Sequence, residues 1–362
     1  MSTLLKDSYN ETYLKQIAAH ICVHLSDFKT SEFLDYCLSK EWDDLSLKER
    51  MKKISCALNS VMPGTFKSKA KVLTKVSAHF SSYPACVFPD FIEQFGLNDL
   101  SLSIKCLEEM TRYSTSEFAV RPFIEKYPSQ MLAQALIWAH DKNEHVRRLA
   151  SEGYRPRLPW GKALITFKRD PTKLLKLLNV LKNDPSEYVR RSVANNLNDI
   201  GKDHPQLLKN FVLLNYTKVS SDCDKMLKHA SRNLLKSGDE EILKIFSYPL
   251  PQHIAVDDFK LSESVDWNGS LEFSFSLSSK EQALGLIRIE YEIMHLKANA
   301  SYSTKVFKIS EVLDKNSEKK ISKKHSFQKR SVRKYYPGKH YISIKINGIK
   351  FLTESFKLLP KT

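Results

Sequence analysis

The chain has 362 residues, 42% hydrophobic and 27% charged, a balance that fills a core and excludes wholesale disorder. Its formal net charge of +16 points to a polyanionic partner, nucleic acid first, although excess lysine also serves solubility. Six cysteines without a CxxC pair read as reduced, buried thiols rather than disulfide or zinc ligands.

From the N-terminus to about residue 113 the apolar spacing predicts helices. Tyr13, Leu14, Ile17 and Ile21 recur at helical intervals, as do Phe33, Leu34, Cys37 and Leu38. Further helices are expected over 54–61, 70–80, 88–95 and 102–113, with breaks at Met62-Pro-Gly64, Tyr83-Pro84 and Phe88-Pro89. His20 and His24 lie one turn apart without a carboxylate companion and read as ordinary helix residues, so no metal is expected. The opening MSTLLKDSYNETYLK lacks the basic-then-apolar order of a secretory signal, and no run approaches about 18 apolar residues, so a cytoplasmic chain without a membrane partner is expected.

Past Ser114 the pattern tightens into pairs. A helix start is expected over 116–122, with Glu117 in its first turn. Helices over 129–141 and 143–153, 171–182 and 186–200, then 205–216 and 222–237 form three pairs, the last closed by Gly238. Val146-Arg147-Arg148 aligns on Val189-Arg190-Arg191 with a period of 43 residues. That falls in the ~40–47 range of two-helix HEAT-type repeats, whose amphipathic pairs must stack to bury their apolar faces. Between the first two pairs lies Arg155-Pro-Arg-Leu-Pro-Trp160, a loop that two prolines keep from being helical.

At about 100° per residue, Val189, Val193, Leu197 and Ile200 make one core stripe, and Arg191, Asn195 and Asp199 make an opposite ridge expected to be exposed. In the preceding repeat Val146, Leu149, Ala150 and Gly153 face inward, and Arg148 and Glu152 occupy the equivalent ridge. Stacking is expected to set Arg148 beside Arg191 and Glu152 near Asn195.

After Tyr248-Pro-Leu-Pro251 the period changes from 3.6 to 2. Leu271, Phe273, Phe275 and Leu277 alternate with polar residues, as do Ile287, Ile289, Tyr291 and Ile293, and Ile342, Ile344 and Ile346 ahead of the hairpin signal Asn347-Gly348. A small β-sandwich over 251–362 is expected, after a helical domain over 1–250. Residues 316–339 are strongly basic and read either as a solvated loop or as a phosphate-tracking arm.

Singly, Glu152 could serve only an i,i+4 pair with Arg148, Glu117 a helix dipole, Asp199 a helix end, and Trp160 a core. Together they make a less accidental set. The motifs VRRLASEG-x-RPRLPW at 146–160 and VRRSVANNLNDIGKDHP at 189–205, with LKHASRNLLKSGD at 227–239, resemble the DNA alkylation-repair glycosylases built from HEAT-like repeats, and the whole chain resembles their AlkC branch. The strand-rich tail resembles the immunoglobulin-like domain of one AlkC subset. The resemblance implies a mainly α HEAT-like α-α superhelical solenoid followed by a small all-β immunoglobulin-like sandwich.

It implies a bacterial, nucleoid-associated, monomeric DNA glycosylase with no cofactor, acting on double-stranded DNA that carries alkylated bases. By motif, Glu152 follows ASEG, Trp160 follows RPRLPW, Asp199 follows NLND, and Glu117 lies upstream of Val120-Arg-Pro-Phe123; these four are the implied catalytic residues. Arg147, Arg148, Arg155, Arg157, Arg190, Arg191, Asn195, Lys228, Arg232, Lys323, Lys324, Arg330 and Arg333 are the expected DNA contacts. The chemistry is consistent with these residue types. A base methylated at a ring nitrogen is already cationic and needs no general acid, whereas negative charge near the sugar and a held water help its departure. A non-catalytic HEAT-type scaffold that binds nucleic acid through the same face, or a protein-binding solenoid, stays open at this point.

Overall fold

The computed structural model describes residues 4–280, 283–328 and 334–361. The N-terminal part is helical: α1 (Glu11–Cys22), α2 (Thr30–Cys37), α3 (Leu47–Val61), α4 (Phe66–Ser77), α5 (Val87–Phe95) and α6 (Leu100–Met110). Local chemistry starts them: Asn10 accepts from the Tyr13 backbone N–H, and Ser46 and Glu49 form a capping box at α3. Pro89 does not break a helix as expected. It lies in the first turn of α5, where its missing N–H has no intrahelical partner to lose.

Next come α7 (Arg121–Lys126), α8 (Pro128–Trp138), α9 (Glu144–Glu152), α10 (Ile165–Arg169), α11 (Thr172–Leu181), α12 (Glu187–Asp203), α13 (Pro205–Asn215), α14 (Ser221–Ala230), α15 (Arg232–Ser237) and α16 (Glu240–Ile245). Two expectations need correction. Glu117 is not in a helical first turn but in a turn before α7. The single helix expected over 222–237 is two, α14 and α15, parted at the buried Ser231. No helix of the described residues is long and apolar enough to cross a membrane.

Compactness divides the chain otherwise than by one cut near residue 250. One unit is Met1–His204 with Val219–Ala230, the other Pro205–Lys218 with Ser231–Thr362. The second unit's own contacts give the reason. The buried Lys345 ammonium donates to the Lys236 carbonyl at 2.8 Å, Asn347 Nδ2 donates to the Pro249 carbonyl at 2.9 Å, and a Cβ on Gly238 would lie 2.8 Å from the Gly348 carbonyl oxygen. Helices after Ser231 are therefore built onto the strands.

The strands are β1 (Ile254–Leu261), β2 (Ser264–Val265), β3 (Ser270–Ser279), β4 (Gly285–Leu296), β5 (Tyr302–Asp314), β6 (Glu318–Ser326), β7 (Gly338–Ile346) and β8 (Ile349–Leu358). They form a three-stranded sheet in the order β1-β3-β6 and a five-stranded sheet in the order β2-β8-β7-β4-β5. The alternating residues of β3, β4 and β7 fill one core, with Trp267 packed at its margin. Asn347 and Gly348 have φ of 44° and 80°, the positive values that a two-residue hairpin turn requires.

The basic segment over 316–339, read either as a solvated loop or as a phosphate-tracking arm, is in part a regular strand. Its first half is β6, paired along its length with β3 because Ile321 and His325 alternate inward from its lysines. Lys323 and Lys324 are exposed on that strand, whereas Arg330 and Arg333 lie outside the described residues.

Three histidines, His295, His325 and His340, are buried together, with His295 5.9 Å from His340 and 6.1 Å from His325 between ring centroids. The Leu296 N–H donates to His340 Nδ1 at 3.3 Å, and His340 Nε2 lies 2.9 Å from the Tyr336 carbonyl, so protonating Nδ1 removes an acceptor. Burial lowers the His340 pKa, the Tyr336 contact opposing it. A neutral buried histidine stabilises fully above the unfolded value of about 6.5, and that contribution is lost as pH falls through the lower folded value. Opening free energies from hydrogen exchange in β7 should therefore decline as pH falls below about 6.5, and His340→Gln should flatten that decline.

Candidate active site

The two VRR motifs divide their arginines between two tasks. The first arginine of each clamps the turn before its own helix and reaches an aspartate of the next repeat. Arg147 Nη1 donates to the Asp141 and Lys142 carbonyls at 2.9 and 3.0 Å, and its Nε and Nη2 donate to the two oxygens of Asp184 at 2.7 and 3.0 Å. Arg190 repeats the pattern on the Asp184 and Pro185 carbonyls and on Asp222 at 2.9 Å. Both guanidinium groups are thus engaged within the protein; Arg147–Asp184 is buried on both sides, whereas Asp222, the partner of Arg190, is half exposed.

The second arginines differ from one another. Arg191 is exposed and, among the described residues, pairs with Glu187 one turn before it, at 2.7 Å. Arg148 turns inward: it meets Glu117 at 2.6 Å, Thr115 Oγ1 at 3.0 Å and Glu152 at 3.8 Å, and lies over the Tyr188 ring at 5.2 Å. The expected placement of Arg148 beside Arg191 does not describe these contacts.

The ridge expected to be exposed is buried at its two carboxylates, while Arg191 stays exposed and Asn195 half-buried. Glu152 is 6% exposed and Asp199 1%. The physical reason is that α12 packs against α9 and α14 and is also met by α10, α11 and the loop after α9. That loop sends Arg155 between the two carboxylates: Nη1 donates to Glu152 Oε1 at 2.7 Å, and Nε and Nη2 both reach Asp199 Oδ2 at 2.9 Å. Burial alone would lower the Arg155 guanidinium, but Glu152 and Asp199 outweigh it and raise it above the ordinary arginine value. The second Glu152 oxygen accepts from Ser192 Oγ at 2.6 Å, the contact found where Asn195 was expected, and Asp199 Oδ1 accepts from Lys202 at 3.0 Å. A chain of alternating charge thus runs from Glu117 through Arg148, Glu152, Arg155 and Asp199 to Lys202.

Trp160 is not core. It is 67% exposed, with a φ of +62° that places its side chain outside the helical run of the chain. Its loop is held from both sides. Arg157 grips Asp203 through two hydrogen bonds of 3.1 and 2.6 Å, which holds the Asp203 carboxyl below the usual range. On the inner side Arg121, 2% exposed, donates to the Lys162, Gly153 and Arg155 carbonyls at 2.6, 2.8 and 3.0 Å. Burial pushes Arg121 down to about 10, so it stays protonated at neutral pH.

Sequence reasoning missed Arg121, Ser192, Lys202 and the Lys48 ammonium that donates to the Trp160 carbonyl. Arg121 carried a usable signal, an arginine within the apolar stretch AVRPFI. Of the remaining expected DNA contacts, Asn195 and Lys228 are half-buried in the first unit, whereas Arg232, half-buried, and the exposed Lys323 and Lys324 belong to the second. Lys324 is paired with Glu272 at 2.6 Å. Among the described residues no group of three His, Cys, Asp or Glu side chains is placed to hold a metal ion.

Comparison with known proteins now places this geometry. Residues 97–234 match the family model described as DNA alkylation repair enzyme, and residues 255–360 match the C-terminal Ig-like domain of the uncharacterised protein YhaZ. The YhaZ protein of Bacillus subtilis (strain 168) is 43% identical over 346 residues, 95% of this chain and 96% of that protein. The alkylpurine DNA glycosylase AlkC of Pseudomonas fluorescens, solved bound to DNA containing an abasic site analog, superposes with a TM-score of 0.93 at 29% identity, over 99% of this chain and 100% of that one. The chain belongs to the DNA alkylation-repair enzymes of the AlkC type.

In this AlkC-type chain the alkylation-repair match begins at residue 97, so α3, with Lys48, and the turn carrying Tyr83 lie ahead of it. The split between paired and exposed arginines carries a direct expectation. Arg147→Ala should strand the buried Asp184 and lower stability by about 3–5 kcal/mol in urea denaturation. Arg191→Ala should leave stability within about 0.5 kcal/mol, yet reduce the slope of log affinity for duplex DNA against log salt by about one.

Proposed function

We propose that this AlkC-type chain is a monofunctional DNA glycosylase of base-excision repair. It hydrolyses the N-glycosidic bond of cationic N-alkylated bases in double-stranded DNA, chiefly 3-methyladenine and also 3-methylcytosine. In this reading the first unit works as a HEAT-like α-α superhelix, the exposed lysines of the β domain add phosphate contacts, and the enzyme acts as a monomer without a cofactor. The observation that carries the reading is the buried Glu117–Arg148–Glu152–Arg155–Asp199 network beside a loop that displays Trp160.

The chemistry follows from charge. Methylation at a ring nitrogen makes the base a cation, so the C1′–N bond breaks with its electron pair leaving on the base, which departs neutral. The sugar left behind is oxocarbenium-like and is stabilised by facing carboxylates. A water held by Asp199 or Glu152 then attacks C1′, and its proton passes to that carboxylate, leaving a neutral abasic sugar.

Lys202 gives this a specific form. Formally, Glu117, Glu152 and Asp199 are balanced by Arg148, Arg155 and Lys202. Arg155 is enclosed with both of its carboxylates, whereas Lys202, which meets the buried Asp199 at i,i+3, has a 41% exposed side chain that solvent can receive. A cationic substrate displaces the ammonium and takes its place against the carboxylate. Trp160 offers a ring face to the deoxyribose or the charged base, and Arg191 with the other exposed cations grips phosphate.

Incubation with methylated duplex DNA should release free methylated base; a folded, DNA-binding protein that releases none would refute the reading. Asp199→Asn should slow excision by about 100-fold while affinity for a duplex with an abasic-site analogue changes little. Equal losses in both would make Asp199 a structural residue, and dispensable Glu152 and Asp199 would mark a non-catalytic scaffold.

A further inference from the structure

A second aromatic side chain shares the Trp160 corner, and it comes from a segment that the repeat motifs do not reach. Tyr83 opens the short turn Tyr83–Cys86 ahead of α5. Its ring meets that of Trp160 with centroids 6.0 Å apart and planes at 85°. Unusual backbone fixes both: Ser82, just before Tyr83, has a φ of +63°, and Trp160 itself one of +62°. The Ser82 carbonyl accepts from Ser114 Oγ at 2.8 Å, which ties this turn to the segment that leads into Glu117.

What Tyr83 presents is ring rather than hydroxyl. The residue is half-buried, but its hydroxyl oxygen is sealed from solvent and has no hydrogen-bond partner among the described residues. Burial, together with the charges of Cys86, Asp90 and Glu117, pushes the phenol up to about 12, so the group stays neutral. Lys48 completes the corner from behind, its ammonium on the Trp160 carbonyl and 4.7 Å from the Phe118 ring centre. A tyrosine retained for its hydroxyl would bond it. This one instead stands its ring at right angles to an exposed indole, and aromatic rings so presented attract positive charge.

We propose that Tyr83 is a specificity-determining residue, forming with Trp160 an aromatic corner that selects positive charge at the scissile nucleoside over its neutral counterpart. The choice of ligand rests on the glycosylase reading above. The charge has two sources, the alkylated base before cleavage and the sugar during it, and separate probes distinguish them.

The sugar is probed by duplexes carrying a cationic pyrrolidine or a neutral tetrahydrofuran abasic analogue. The base is probed by duplexes carrying 7-methylguanine on a 2′-fluoro sugar that resists cleavage, or unmethylated guanine on the same sugar. Tyr83→Leu should weaken binding by about tenfold on at least one cationic duplex and by no more than about twofold on its neutral partner, and the affected pair names the source. Tyr83→Phe should match the wild type on all four, because the hydroxyl makes no contact to lose. Equal weakening on charged and neutral duplexes, or no weakening on any, overturns the proposal. Should Tyr83→Leu fail to fold, Tyr83→Met, unbranched and without a π face, takes its place. A wild type that prefers the pyrrolidine duplex yet releases no methylated base refutes the glycosylase reading and leaves this one standing.

Discussion

The interaction on which the first unit depends is the Arg155 guanidinium between Glu152 and Asp199. Charges this deeply buried persist only when each is matched and its remaining hydrogen-bonding capacity filled. Arg155 meets that condition for two carboxylates at once, with Ser192 and Lys202 filling the other oxygens. It thereby joins the second helix of one repeat to the second helix of the next through a residue that belongs to neither. The loop that carries Arg155 must itself be immobile for this to work, and Arg121 makes it so by collecting three backbone carbonyls that no helix satisfies.

Around that point the repeat is regular where it is structural and irregular where it is chemical. Arg147 and Arg190 make the same contacts 43 residues apart, carbonyls of the turn behind and an aspartate ahead. Arg148 and Arg191, one residue further on, share only a glutamate one turn away: one lies against Glu117 and Tyr188, the other faces solvent with Glu187. A step of about 100° around the helix separates a repeat-joining position from a surface one, and what a neighbour places opposite that surface decides whether it becomes a site. Before α9 that neighbour is the turn of Thr115 and Glu117, so the carboxylate count rises there and not in the next repeat.

The second unit uses buried polarity differently. Arg288 holds Glu290 and Glu311 at 2.7 Å each, and Lys345 and Asn347 tie the β7–β8 hairpin to the helices and turn that precede the strands. The lysines of β6 lie on the terminal strand of a three-stranded sheet, where they also protect an open edge from pairing with another chain.

Much of the architecture was legible in the residues themselves. The 43-residue period, the core stripe of Val189, Val193, Leu197 and Ile200, the change to alternation past residue 250 and the Asn347-Gly348 turn are consequences of local geometry, and local geometry is written in spacing. Glu117, Glu152, Asp199 and Trp160 stood out by residue type and by family resemblance. Tertiary structure alone decided that Glu152 and Asp199 are buried, that Trp160 is exposed, that Arg147 and Arg190 pair with Asp184 and Asp222, and that Tyr83, Lys48 and Arg121 converge on one loop. Helical periodicity states which side of a helix a residue occupies but not what lies against that side. A proline-rich loop without a period, reaching the Asp199 end of α12, turned the carboxylates of an expected solvent-facing ridge into a buried network of charge.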